Sequence, residues 1–471
     1  MKRRNLVRTP SLRPLAAGLA IAFAGCLAVA DADARPQAML APPRAITAAP
    51  NFPPPGIRGT IVVTNCDDSG PGSLREAYFN AVDQEIIDLS ELTCSTISLT
   101  TGALTDSPSA AGVVLFGPGK YDLTIDGGNS NRVIVHNGSR YLQLIGLSVT
   151  GGSYTGPYGG GCIYSYSGVF AAYANISACS LSSSGSDHAF GGAIYAKGNV
   201  VAQNVRITGS TAHAAASDSA GGAIWAGGSV EIITSTISGN SVSGDGSHYA
   251  RGGGLFALAD AQIRYSAFAG NTADTGGGIF LAGAATDTMV VGNSTISGNH
   301  ARGAGGGLYS KYRPLQLSSS TITANTAVFD SGAGAYLASD TDIQSTIISG
   351  NTSQNGSQAS DLGGDARITI TGANNLIVAS TLPVPPDTIA ADPMLGPLQD
   401  NGGFSVTHAL LPGSPAIDHG NDVFGAIFDQ RGFDDTTTQF GYERLVGAGP
   451  DIGAFEFGAP DHIFVDGFEG L

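Results

Sequence analysis

Gly221-Gly222-Ala223-Ile224-Trp225, followed after a short gap by Val230-Glu231-Ile232-Ile233-Thr234-Ser235-Thr236-Ile237-Ser238-Gly239-Asn240, decides the fold because both phrases recur. The first returns at 160–164, 191–195, 253–256, 277–280 and 306–309, and in degraded form at 332–336. The second returns at 207–210, 268–271, 296–299, 322–325 and 348–351. From Asn240 the terminal Asn residues follow at intervals of 31, 28, 26 and 26 residues. A period in that range marks a solenoid.

Residue types select among solenoids. Helical repeats need Leu, Ala, Glu and Lys on a 3.6-residue spacing, whereas these units are Gly, Ser, Thr and Ile in runs too short for a helix. Val230-Glu231-Ile232-Ile233 and Ser235-Thr236-Ile237-Ser238 are β-branched clusters bounded by Gly and Asn, and read as strands. Two or three strands per unit, each stacked on its copy, describe a parallel β-helix. The Gly pairs suit corners where the chain bends or backbones approach closely. The Asn that ends each phrase can stack on the next Asn and bond the turn backbone. The Leu framework of a leucine-rich repeat is absent.

The alternating Gly-Gly-x-Ile and Ser/Thr-Ile-Ser-Gly-Asn phrases resemble the repeats of polymorphic outer-membrane proteins. That resemblance implies a right-handed parallel β-helix at 151–380 and an exported surface protein. Ahead of the repeats, Asp68-Ser69-Gly70-Pro71-Gly72-Ser73-Leu74-Arg75-Glu76-Ala77 is similar to the signature of "CSLREA" domains, which precede β-helices in secreted bacterial proteins. Ser73 and Glu76 have capping-box spacing, so a helix should start here, with Leu74, Ala77, Tyr78 and Val82 on one face. Such a helix would plug the open end of the solenoid, and 58–150 reads as that cap plus the first turns. Arg75 and Glu76 read as a surface ion pair and a cap.

After the repeats, Leu411-Pro412-Gly413-Ser414-Pro415-Ala416-Ile417-Asp418, Asp429-Gln430-Arg431-Gly432-Phe433 and Asp451-Ile452-Gly453-Ala454-Phe455-Glu456 resemble the "choice-of-anchor Q" C-terminal domain over 391–457. That likeness implies a loop-rich domain involved in surface retention. The tail, 458–471, reads equally as a sorting address or a plain end.

At the other terminus, Lys2, Arg3, Arg4, Arg8 and Arg13 precede an apolar run from Leu15 to Ala30, with Ala32 and Ala34 at a small-x-small site. This predicts a signal peptide over 1–34 and a secreted or outer-surface location. Seven prolines in 35–57 predict an extended linker. No stretch of the mature chain is apolar enough to cross a membrane. The 471 residues carry 22 basic and 38 acidic side chains; cleavage would leave 17 and 36, a net of −19. Nucleic acid is a poor partner for that balance. Four cysteines would remain, Cys66, Cys94, Cys162 and Cys179, and an even count in an exported chain admits disulfides in three pairings. Pairing within each neighbouring couple is the most economical.

Candidate function sits in the loops between each Asn phrase and the next Gly pair. They carry Asp187 and His188, His213 and Asp218, Asp245, His248 and Arg251, Asp274, His300 and Arg302, and Asp330. Stacked on one side, these could line a single face. A polysaccharide lyase or glycoside hydrolase acting on acidic glycans would need several carboxylates converging there, for acid/base work or for Ca²⁺ with a basic residue nearby. No Asp-Asp or Asp-x-Asp pair occurs within the repeats. No cofactor is expected otherwise, and the residues say nothing of oligomeric state. Variable loops of repeat proteins ordinarily carry solvated polar residues, so the expectation is a non-enzymatic surface protein binding extracellular polysaccharide or a neighbouring surface, with a purely structural envelope role as a further alternative. The aromatics after each Gly pair, Tyr164, Tyr195, Trp225, Phe256, Phe280 and Tyr309, read as a row packed on itself in preference to a sugar-stacking ladder.

Overall fold

The computed structural model describes residues 59–107, 111–283, 289–328, 332–353, 356–421, 425–434 and 439–460, with only the backbone of 433–434 and 439–440. The signal peptide and linker readings fall outside these residues, as do Asp330 and all of the tail but 458–460.

The chain winds into a right-handed parallel β-solenoid of about 11 coils. Each coil contributes to three walls. One coil runs through Ile224–Ala226 in wall B, Val230–Ile233 and Thr236–Ser238 in wall A, and Ser241–Gly244 in wall C. Among the described residues walls A, B and C hold 21, 10 and 9 strands, and a short strip of Ala189–Phe190, Ser219–Ala220 and Ala250–Arg251 closes the circuit before the next Gly pair. Pairing is parallel throughout the walls except where Gln358–Ala359 folds back on Thr352–Ser353.

Register follows residue type. Ile194, Ile224, Leu255, Ile279 and Leu308 stack in wall B, and Ile207, Ile237, Phe268, Ile296, Ile322 and Ile348 stack in wall A. All are fully buried and belong to one continuous core. At the Gly pair, Gly221 takes φ +69°, and a Cβ on Gly222 would stand 2.2 Å from the Gly253 carbonyl oxygen. No larger residue fits there without moving the next coil.

Two polar rows line the corners. The Asn row is buried: the Asn271 amide N–H and Nδ2 both donate to Asn299 Oδ1 at 2.9 Å, and Asn299 repeats this on Asn325. Each Nδ2 also donates to a strand carbonyl, Asn299 to Phe268 at 2.9 Å. The row ends on an acceptor, Asp361, whose Oδ1 takes both Asn351 donors. A second row was not foreseen. Midway along wall A the chain turns through positive φ at Tyr173, Asn204, Thr234, Tyr265, Asn293, Ser319 and Ser345, a costly conformation for a β-branched residue such as Thr234. The next residue in successive coils holds the corner: Ser266 Oγ accepts from the Ser235 amide (3.1 Å), Ser294 Oγ from Ser266 (3.2 Å) and Ser320 Oγ from Ser294 (3.3 Å).

The N-terminal helix α1 spans Leu74–Asn80, with Ser73 as N-cap accepting from the Glu76 amide, and Glu76 Oε2 taking the Gly72 amide at 2.7 Å. Leu74, Ala77 and Tyr78 enter the main core. Val82 does not: the helix stops at Asn80, and Val82 is 43% exposed. The ion pair and the cap expected of Arg75 and Glu76 are both present: Arg75 pairs with Asp68 at 2.5 Å and donates to the Gly102 and Ala103 carbonyls, leaving Glu76 to the cap. Disulfides join Cys66 to Cys94 and Cys162 to Cys179.

The C-terminal segment lies against the outer surface of wall A. Ser405 Oγ donates to the Tyr265 carbonyl (3.0 Å), Thr295 Oγ1 to Gln430 Oε1 (2.5 Å), and the Ala454 amide to Thr321 Oγ1 (3.0 Å). His408 donates from Nδ1 to the Gly396 carbonyl (2.7 Å), so its Nε2 accepts from Ser297 Oγ (2.8 Å). Within the segment, buried Asp429 grips Arg431, whose guanidinium lies between the Tyr442 and Phe455 rings, 3.7 Å from each centroid. Buried Glu456 accepts from the Val446 and Asp451 amides at 3.0 and 2.9 Å, so the Asp429 and Glu456 motif residues both serve as internal anchors.

Candidate functional site

The strip strands bring part of the loop set together. Ala220 and Arg251 are register partners, and Arg251 bridges onward to Thr275, so the residues flanking the strip rise in line along the rod. Asp218 accepts from the Tyr249 amide at 3.0 Å and lies 3.8 Å from Arg251 Nη1 and 4.0 Å from His248 Nδ1. Asp274 accepts from the next amide, Ala250 (3.3 Å), and pairs with Arg302 Nε at 3.1 Å. These contacts join four successive coils. Over them stands Tyr249, 61% exposed, with the Arg251 guanidinium 4.3 Å from its ring centre. Tyr249 was not singled out from the sequence; an aromatic among Gly, Ser and His in a loop was the available signal.

The other candidates are engaged locally. His188 Nδ1 contacts Ser217 Oγ at 2.8 Å and its ring stacks on Phe190. Asp187, exposed, offers its carbonyl to Ser183 Oγ. His213 and His300 lie on wall C strands, each against a hydroxyl of the following coil, Ser243 at 3.0 Å and Thr326 at 2.8 Å. Asp245 caps its own turn through Ser247, whose hydroxyl and amide hold the carboxyl below the usual range.

Chemically the strip is a zipper of opposite charges. The two carboxylates that share it, Asp218 and Asp274, each face an arginine. Among the described residues no group of three or more His, Cys, Asp or Glu is placed to hold a metal ion. The aromatic row stacks face to face: Tyr195 on Trp225 at 4.7 Å, Phe280 on Tyr309 at 4.9 Å, planes within 12°. Its ring faces are occupied by neighbouring rings, which is the packing arrangement.

Among the described residues no helix is long and apolar enough to cross a membrane. No protein-family model matches the chain, and no curated protein matches it.

Proposed function

We propose that this is an exported, non-enzymatic β-helix acting at the cell surface, where the loop strip binds extracellular polysaccharide. The observation that carries the reading is the charge zipper of Asp218, Arg251, Asp274 and Arg302 on four stacked coils. Paired charges present hydrogen-bond donors and acceptors with little net field, which suits a neutral polymer better than bond cleavage, where an unpaired acid and base are needed. A rigid rod repeats such contacts every coil, about 4.8 Å, and weak contacts add through effective concentration. Surface retention by the C-terminal segment is part of the same proposal, resting on its likeness to choice-of-anchor Q.

The test is sedimentation of the protein with insoluble neutral polysaccharides such as cellulose and chitin, while released sugar ends are measured with and without Ca²⁺. Retention without release supports the reading. Release of ends would replace it with the lyase or hydrolase alternative, and retention on no polymer would end it.

A further inference from the structure

A different surface has the opposite electrostatic character. The 117–122 loop crosses the outer face of wall A, where Lys120 Nζ donates to Asn204 Oδ1 at 2.7 Å and its carbonyl accepts from Asn175 Nδ2 at 3.0 Å. Arg206, exposed, follows Asn204 on the same strand. Burial, and then the like charge of Arg206, pull the Lys120 ammonium below its usual value. Two coils along, Arg264 occupies the row of Gln203 and Ile233, about 10 Å away at the interstrand spacing. Among the described residues, none of the three cations has a carboxylate within ion-pair distance. Glu231, whose carboxyl burial pushes up, is in Coulombic reach of Arg264.

The same strip holds buried polar atoms without hydrogen-bond partners. Two of them are donors, Arg264 Nη2 and Thr236 Oγ1, and Thr236 is 5% exposed. Thr236 is the register partner of Arg206. Beyond Tyr265 the C-terminal segment takes over the surface. The strip is therefore bounded by the Lys120 loop at one end and by that segment at the other.

Cations without a carboxylate at ion-pair distance, and two buried donors without acceptors, are costly arrangements. In a chain of formal net charge −16 they are also the least expected ones. An anion with several acceptor oxygens relieves both costs. Because the cations are spread along the rod axis, a linear polymer with a carboxylate on successive units matches them better than one small ion. Three cations on an acidic protein fall short of what a phosphate backbone requires.

We propose that this strip binds a linear acidic polysaccharide, its carboxylates accepting from Lys120 and Arg206 at one end and from Arg264 at the other. The site lies apart from the loop strip and does not depend on its reading.

Native electrophoresis of the full chain in gels containing polygalacturonate, or the same polymer fully methyl-esterified, isolates the charge contribution. The wild type should be retarded more by the acid form, and Arg206→Ala and Arg264→Ala should each weaken that difference about tenfold, the scale of one lost charge-assisted contact. Arg264→Lys should restore most of it. Arg206 is exposed, so its substitution reports on binding even if Arg264→Ala folds poorly. Equal retardation in the two polymers, or a difference that persists in both alanine variants, overturns the proposal.

Discussion

The buried Asn row and the exposed loop strip run up the same coils, yet they are built on opposite rules. In the Asn row every copy is the same residue, fully buried, with amide and side chain both bonded to the next copy. In the loop strip no two neighbouring copies agree: Asp218 is followed by His248 and Arg251, then Asp274, then Arg302. Identity from coil to coil marks the rows that hold the rod, because one geometry must be satisfied at every level. Variation marks the surface released from that requirement, where residues are free to meet something else.

Substitutions of Asn299 should break the comparison most severely. Asn299→Leu leaves the Asn271 donors, the Phe268 carbonyl and Asn325 Oδ1 short of a partner. A loss of about 4 kcal/mol is expected from denaturant melts, given 1–3 kcal/mol per buried unsatisfied group with partial relaxation. Reduction of Cys162–Cys179, which closes 17 residues inside the core, should cost about 3 kcal/mol on the same melts.

A pH effect should separate the C-terminal segment from the coils. Burial pushes the Glu456 carboxyl up to about 8, above its ordinary 4.5. A raised value means the neutral form is favoured by folding. That contribution is intact below pH 4.5 and is lost as pH rises through 8. The wild-type melting temperature should therefore fall between pH 5 and 9 more steeply than that of Glu456→Gln, which cannot ionise. Smallest of all, Tyr249→Ala on the loop face should change stability by no more than about 0.5 kcal/mol. A larger loss there would show the loop residues to be structural after all.

Much of this was legible in the residues. The Gly pairs, the stacked aliphatics, the Asn row, the capping box at Ser73 and both disulfide couples are local or periodic features, and periodicity fixes which residues meet from coil to coil. The serine row was equally periodic, two residues ahead of the core Ile in Ser235-Thr236-Ile237 and Ser294-Thr295-Ile296, but its need for a positive φ just before it has no signature in residues as varied as Thr234, Tyr265 and Asn293. Val82 misled because helical spacing says nothing of where a helix stops. In the loops the sequence named the charged residues but could not pair them. Asp218 meets residues of the following coil through loop conformation, whereas His213 and His300, counted among the loops, belong to wall C strands. The outer strip of Lys120, Arg206 and Arg264 was invisible because its residues come from a crossing loop and two separate coils.

The central claim is that the varied loop strip binds and the repeated rows only support it. Its most direct measurement is the retention of the combined Asp218→Ala, Arg251→Ala and Arg302→Ala variant on the neutral polysaccharide that sediments the wild type, with a thermal melt of the same preparation. Retention lost with an unchanged melt is the predicted result. Retention equal to that of the wild type, in a protein that melts normally, would contradict it.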